Sequence, residues 1–416
     1  MKILLVHIYF TDAKISGVNS SVYKIYETLN KQGHQIYFFA LDEKPYLDNN
    51  YKYLKYFPKS HSRTKSFFSK IIFYSNNFYN FQAQRKIDAL LEEIKPDLVD
   101  IHTTWELSLS ILKPIKKRKI PIVFWLHDIG MFCSGTFSIG INYCNKCKNY
   151  NTLPCTINKC INNSFIKSFF FSCRNLFERY LMFKYVDSFV TVSNATRNYL
   201  INAGINKNKI QTLYNFVNKQ GETVIDYSAT EKSNYFLYGG GEDKIKGINT
   251  LIKAFEILPK DICLHIAGAG QYTEQKKYIE EKNITNIKIL GPLNKQELNQ
   301  EYKNCISVIM PSEWFETFGK INSEAAIFGK PSISSNIGGI PEVVENNKTG
   351  LLFEPKNIEQ LTQCILKYYN NRSLAIEHGK NARVKIMQQC NEDKWLKNLI
   401  EMYSEIINKY RSSSLL

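Results

Sequence analysis

Two glutamates, Glu316 and Glu324, bracket seven residues in the stretch PSEWFETFGKINSEAAIFGKP, residues 311–331, with Gly319 between them. The run before them, Ile306 to Met310, is short, apolar and β-branched, which reads as a buried strand. Beyond Gly319, Ile321, Ala325 and Phe328 recur at helical spacing, and Gly329-Lys330-Pro331 supplies a helix stop. Glu316 therefore falls in a strand-to-helix loop, and Glu324 a little over one turn into the helix. A helix N-terminus presents unpaired N–H groups and the positive end of the peptide dipoles, which suits a phosphate. A carboxylate one turn further on cannot bind that phosphate as well; its natural partner is a pair of hydroxyls, as on a ribose. Acids are also common near helix starts for dipole reasons alone, so the pair needs company to carry function.

Other residues supply that company. His127-Asp128 follows the apolar run 120–126, and His102 ends the run before it. Gly239-Gly240-Gly241, Gly268, Gly270, Gly291 and Gly338-Gly339 close further runs, with Lys244 and Lys246 shortly after the first set. In open α/β sheets ligands bind beyond the carboxyl ends of the strands. Glycine there lets backbone approach a ligand closely, and successive amides can hold a phosphate. Ser16-Gly17 occupies the loop after the first run.

Six of the ten cysteines lie at 133, 144, 147, 155, 160 and 173. Cys144, Cys147, Cys155 and Cys160 form C-x2-C-x7-C-x4-C, whose pairs fit tetrahedral zinc, although the central spacer is short for a finger. Structural zinc and free thiols stay open equally; disulfides fit a reducing compartment least.

The elements that position these residues repeat. Runs at 3–8, 35–40, 97–102, 120–127, 188–193 and 210–214 read as strands, and residues 18–32 between the first two carry Val22, Ile25, Tyr26 and Leu29 at helical spacing, closed by Gly33. Runs at 235–238, 262–267, 287–290, 306–310, 332–335 and 350–353 repeat the pattern. Strands alternating with helices imply parallel sheets covered on both faces, and 416 residues exceed what one core usually supports. The expectation is α/β, with two Rossmann-like domains facing each other across a cleft. Residues 1–215 form the first, with a cysteine-rich insert at 133–173; residues 216–390 form the second; residues 391–416 add a last helical segment.

Together these residues resemble the family 4 retaining glycosyltransferases, whose E-x7-E signature the 316–324 spacing matches without a gap. Also similar to that family are Ser16-Gly17-Val18 ahead of a helix, Gly33-His34, and residues 192–196 (VSNAT), 246–252 (KGINTLI), 266–270 (IAGAG), 338–342 (GGIPE) and 349–353 (TGLLF). The resemblance runs along nearly the whole chain and implies the GT-B fold, with residues 391–416 crossing back onto the first domain. It assigns Glu316 to the donor sugar, Glu324 to the ribose hydroxyls, and the backbone of Phe318-Gly319-Lys320 to sugar and diphosphate. Lys246 aligns with the family's phosphate lysine, and His127 with a histidine that touches the donor sugar near the reacting carbon. The implied chemistry is front-face return through a loose ion pair, without a covalent nucleophile or a catalytic metal. Ser16, Gly17, His102 and Asp128 then fall on the acceptor side, Asp128 as a candidate base.

Two departures stand out. The arginine that the family places just before Lys-Gly falls on Gly240 or Gly241; Lys244 and the amides of Gly239, Gly240, Gly241 and Gly268 are the available substitutes. Asn215-Phe-Val-Asn218 stands where relatives often read Asn-Gly-Val-Asp.

Apolar and charged contents of 44% and 22% describe an ordinary globular protein with a net charge of +16. Residues 1–190 hold 26 lysines and arginines against 14 acids, so +12 of the excess lies in this part. An anionic partner follows: nucleic acid, a phospholipid surface or a phosphorylated substrate. The first apolar run is too short for a secretion signal, and none reaches roughly 18 residues, the length of a spanning helix. Aromatics and cations at Phe165, Phe169, Arg174, Phe177, Arg179 and Lys184, with the run Lys116-Lys-Arg-Lys119, fit docking on an anionic membrane or a solvated basic face equally. The reading is a cytoplasmic enzyme, peripherally bound to the inner face of the membrane, with a nucleotide-sugar donor and a lipid-linked or glycan acceptor of capsule or lipopolysaccharide type. No nucleic acid is expected. Its rivals are a non-hydrolysing nucleotide-sugar epimerase of the same fold and a basic nucleic-acid-binding protein.

Overall fold

A computed structural model describes residues 1–8, 17–41, 51–59, 67–135, 146–217 and 225–413. Twelve strands form two parallel sheets of six. The first contains β1 (Lys2–Val6), β2 (Gln35–Phe39), β3 (Leu98–Ile101), β4 (Ile122–Leu126), β5 (Ser188–Thr191) and β6 (Ile210–Thr212), in the order β2-β1-β3-β4-β5-β6. The second contains β7 (Tyr235–Gly239), β8 (Cys263–Ala267), β9 (Ile287–Gly291), β10 (Val308–Met310), β11 (Ser332–Ser335) and β12 (Gly350–Phe353), in the order β12-β11-β10-β7-β8-β9. Read from β9, the second sheet has the 3-2-1-4-5-6 order of a dinucleotide-binding fold. The central strands β3 and β4 are buried along their whole length, as strands covered by helices on both faces must be.

Some ends shift from the sequence expectation. The run 120–127 pairs only as Ile122–Leu126, because Pro121 has no N–H to give the ladder. His127 is thereby left just past the strand. The run 306–310 is a strand only from Val308, although the Ile306 N–H still reaches Tyr235 O at 2.9 Å.

The helix Glu392–Ser413 packs against the first sheet. Tyr403 donates its hydroxyl to Asp100 Oδ2 at 2.5 Å, Arg411 pairs with Asp97 at 2.8 Å, and Trp395 packs at a tilt against Phe216 with centroids 4.4 Å apart. Apolar packing continues between the domains, where Phe315 meets Tyr199 at 5.4 Å and Phe318 meets Tyr214 at 6.2 Å.

The basic surface differs from expectation. Lys116 pairs with Asp187 at 2.7 Å, and Arg118 pairs with Asp88 at 2.8 Å and Glu92 at 2.7 Å, so part of that basic run is absorbed in local ion pairs. On the helix Phe165–Tyr185, Arg174 and Arg179 point inward and are buried. Arg179 donates to Asn149 O at 2.7 Å and to Phe132 O at 2.5 Å, which ties the cysteine-rich insert to the sheet. A buried guanidinium is tolerated because backbone carbonyls satisfy it.

Candidate active site

In a doubly wound sheet the loops beside the topological switch point splay apart and leave a crevice. In the first sheet that point lies between β1 and β3, and the residues just past these strands are His7 and His102. His7 Nε2 lies 2.7 Å from Asn19 Oδ1 and its Nδ1 2.7 Å from Thr103 Oγ1. Burial lowers the His7 pKa from 6.5 to about 4, so it is neutral near pH 7.

His102 belongs to a chain of four groups. Tyr403 donates to Asp100 Oδ2, which lies 3.1 Å from His102 Nε2, and His102 Nδ1 lies 3.0 Å from His127 Nε2. With Asp100 accepting from His102 Nε2–H, a neutral His102 keeps a lone pair on Nδ1 and accepts from His127 Nε2–H. His127 Nδ1 then keeps its lone pair, suited to accept from a hydroxyl. Burial is the main cause that holds the His127 pKa well below its usual value, aided by His102, His7 and Lys320 nearby. Trp125 stacks on both rings, with centroids 5.4 Å from His102 and 5.8 Å from His127. Asp128 Oδ1 accepts from Gly130 N at 2.6 Å, and burial raises its pKa.

In the second sheet the switch point lies between β7 and β10, which places the Gly239-Gly240-Gly241 loop beside the Glu316 loop. Glu313 N donates to Ile245 O at 2.8 Å and stitches the two loops together. Glu316 Oε2 collects three donors: Lys246 Nζ at 2.9 Å, Trp314 Nε1 at 2.8 Å and Ser312 Oγ at 3.4 Å. The helix Lys320–Ile327 begins after Gly319, whose φ of 86° is in the left-handed region that glycine adopts without strain. Glu324 sits in its second turn and accepts from Tyr302 at 3.2 Å. Lys24, on the helix Gly17–Lys31 of the first domain, and Lys320 both feel the Glu324 charge, while burial lowers the pKa of each. Gly268 packs so tightly on Gly240 O that a Cβ would lie 1.9 Å from it, so the two glycine loops close against each other.

The two halves meet at this place. Thr317 donates its hydroxyl across the cleft to His127 O at 2.9 Å. Glu342 reaches from the second domain to the first: its carboxylate accepts from Asn194 N at 2.9 Å, Ala195 N at 2.6 Å and the Tyr214 hydroxyl at 2.7 Å. It thus caps the start of the helix Asn194–Asn202, where free N–H groups favour a negative charge.

Known proteins agree with this arrangement. The sequence matches the family model described as glycosyltransferase family 4 over residues 15–220 and that described as glycosyl transferases group 1 over residues 222–385. The chain belongs to this glycosyltransferase family. An uncharacterised 42.6 kDa protein in the cps region of Klebsiella pneumoniae is 24% identical over 354 residues, 82% of this chain and 87% of that protein. The O-antigen chain mannosyltransferase C of Escherichia coli is 23% identical over 193 residues, 46% of this chain and 52% of that protein, so this match spans about half the relative's length. Anabaena HepE, solved in complex with UDP and glucose, matches with a TM-score of 0.67 and 18% identity over 97% of this chain and 99% of that one. The fold is GT-B.

The glycosyltransferase brings His127, Glu316, Thr317, Lys320 and Glu324 to one cleft, with Lys246 on Glu316. Lys244 is elsewhere: it is exposed and pairs with Glu274 at 2.8 Å. His102 is buried behind His127 and acts on it by hydrogen bonding. Gly17 starts the first helix, whereas Ser16 lies outside the described residues, as do Cys144 and Asn218. No three Cys, His, Asp or Glu side chains converge as metal ligands among the described residues, so Cys147, Cys155 and Cys160 do not compose a zinc site without Cys144. Sequence reasoning missed His7, Asp100, Tyr403, Trp314 and the role of Glu342. Only Glu342 carried a signal, since it ends the GGIPE motif; Asp100 and Tyr403 are 303 residues apart.

Proposed function

We propose that this glycosyltransferase transfers a hexose from a nucleotide-sugar donor, with retention and without a catalytic metal, to a lipid-linked or polysaccharide acceptor in cell-surface glycan synthesis. The observation that carries the reading is the Thr317–His127 hydrogen bond at 2.9 Å, which holds the E-x7-E loop against the histidine of the opposite domain. In this reading Glu324 binds the ribose hydroxyls, and the amides at the start of the helix Lys320–Ile327 face the diphosphate, where the dipole favours negative charge. Lys246 and the glycine amides stabilise the departing diphosphate in place of the absent arginine. Glu316 orients the sugar, and neutral His127 accepts one of its hydroxyls beside the reacting carbon. Rate comes from holding donor and acceptor in one water-poor cleft and from preorganised charge, with no covalent intermediate.

The cps-region relative and the O-antigen mannosyltransferase support a cell-surface glycan as product, and the HepE complex supports a nucleotide-sugar donor. A cytoplasmic enzyme working at the inner face of the membrane fits such products. No helix among the described residues is long and apolar enough to cross a membrane, which leaves peripheral attachment as the mode proposed. A structural zinc in the insert requires Cys144 as a fourth thiol beside Cys147, Cys155 and Cys160.

The test is a binding screen across nucleotide sugars with protein treated with EDTA, followed by NMR of the glycoside formed. Binding of one donor and a product of unchanged anomeric configuration are expected. An inverted product ends the retaining assignment, loss of turnover on chelation ends the metal-independent one, and conversion of a nucleotide sugar without acceptor supports the epimerase instead.

A further inference from the structure

The helix Phe165–Tyr185 is built inside out. Its inward face carries Ser168, Ser172, Arg174, Asn175, Glu178 and Arg179, all buried. Its outward face carries Phe165, Ile166, Phe169, Leu176 and Tyr180, with Ile166 80%, Phe165 57% and Phe169 54% exposed. Leu153 and Ile157, on the short helix packed against it, are exposed as well. Apolar surface gains about 25 cal/mol per Å² when it leaves water, so a helix that turns aromatics outward and charges inward is arranged for an apolar partner.

Behind this face lies a cavity of about 1130 Å³, walled by His127 and Asp128 on the sheet side and by Ile166 and Lys167 on the outward helix. Between them the wall is aromatic, with Tyr74 and Phe78 of the helix Phe67–Phe78 facing Phe170 and Phe171. A buried polar pair interrupts it. Arg174 Nη2 donates to Glu178 Oε1 at 2.7 Å, with the guanidinium 4.5 Å from the Trp105 ring centroid. Arg174 Nε and Glu178 Oε2 are buried with no hydrogen-bond partner among the described residues. The ion pair lines the cavity, and a guanidinium beside a carboxylate can exchange hydrogen bonds with the hydroxyls of a sugar, whereas a bare anion would be repelled by Glu178. Lys167 lies seven residues before Arg174, roughly 10 Å along the helix, at the exposed rim.

We infer that the acceptor is a sugar carried on a phosphorylated hydrocarbon chain, bound in this cavity. The sugar lies against Arg174 and Glu178 with its reacting hydroxyl toward His127. The phosphate lies at Lys167, and the chain passes Phe170 and Phe171 to leave over Ile166 and Phe169 into the membrane on which the outward face rests. This inference rests on the glycosyltransferase reading above and selects the lipid-linked acceptor over a free polysaccharide. Continuity of the cavity from His127 to the exposed Ile166, which shares the outward face with Phe165 and Phe169, is what favours a lipid over a protein partner.

Farnesyl phosphate and vesicles of phosphatidylglycerol with phosphatidylethanolamine are the probes. Farnesyl phosphate is expected to quench tryptophan emission saturably, since Trp105 and Trp125 line the cavity, whereas inorganic phosphate leaves it unchanged. The double variant Ile166→Glu with Phe169→Glu changes only exposed positions, so it folds and binds nucleotide sugar as the parent does. Its co-sedimentation with vesicles is expected to weaken by at least about tenfold, the loss of roughly 1.4 kcal/mol of burial. Quenching by inorganic phosphate alone, no quenching by farnesyl phosphate, or unchanged vesicle binding by the variant overturns the inference. Intact lipid binding with no binding of any nucleotide sugar instead overturns the transferase reading and leaves this site standing.

Discussion

Lys246 Nζ lies 2.9 Å from Glu316 Oε2 and 4.4 Å from the centroid of the Trp314 ring, whose own N–H donates to the same carboxylate oxygen. The cation proposed for the diphosphate is thus held on the carboxylate proposed for the sugar, which places both at one end of the donor. Trp314 and Ser312 also donate to this carboxylate oxygen, so Lys246 is not its sole anchor.

In the proposed reading Lys246, the counterpart of the family's phosphate lysine, also carries the charge that the missing arginine would supply, so its loss removes stabilisation that grows as the diphosphate departs. Lys246→Ala is expected to lower kcat about 100-fold, the usual cost of removing one preorganised donor. Near-normal turnover in a steady-state assay means that the glycine amides carry the diphosphate alone.

Glu324 accepts from Tyr302 and interacts with the charges of Lys24 and Lys320, and in the proposed reading it binds the two ribose hydroxyls. Glu324→Ala should weaken nucleotide-sugar binding by about tenfold to 100-fold, as expected for hydrogen bonds to a charged group. Calorimetric titration that finds equal affinity for parent and variant sinks the ribose assignment.

Acid should destabilise the first domain through its histidines. The folded pKa of His7 is about 4 against 6.5 unfolded, so between these values the unfolded chain binds more protons and stability falls as pH falls. The contribution is fully present above about pH 6.5 and shrinks by up to about 1.4 kcal/mol per pH unit below it. His127 acts in the same direction. Thermal melts from pH 7 to pH 4.5 should show a shallower decline for His7→Gln than for the parent; parallel curves remove His7 from the account.

Glu342 caps a helix of the other domain, so Glu342→Ala uncovers the N–H groups of Asn194 and Ala195 and frees the Tyr214 hydroxyl. A cost of about 1–2 kcal/mol is expected, or a Tm lower by roughly 2–8 °C. An unchanged melt shows that water replaces the carboxylate at no cost.

How much was legible beforehand varied with the range of the interaction. All twelve strands were readable because each is a short run rich in apolar or β-branched residues between turns, whereas most of their ends differ by one or two residues, at β4 because Pro121 has no N–H to give the ladder. Glu316 and Glu324 were readable because their spacing lies within one loop and one helix. The sequence offers Lys246 by family alignment and Lys244 only as a substitute for the missing arginine, and one 3-10 turn separates the solvent-facing Lys244 from the Lys246 that meets Glu316. Arg174 and Arg179 look like surface cations in the sequence, because helical periodicity tells which residues share a face but not which face turns inward.

The amino-acid sequence alone therefore determined the alternation of strands and helices, the two-domain plan and the E-x7-E motif, all of which are written in spacings of a few residues. Tertiary structure decided the rest: the Tyr403–Asp100–His102–His127 chain, the Thr317 and Glu342 bridges, and the outward apolar face of the helix Phe165–Tyr185. These depend on groups up to 303 residues apart meeting within hydrogen-bond range, and that meeting is set by sheet order and helix packing, which no local pattern of residue types encodes.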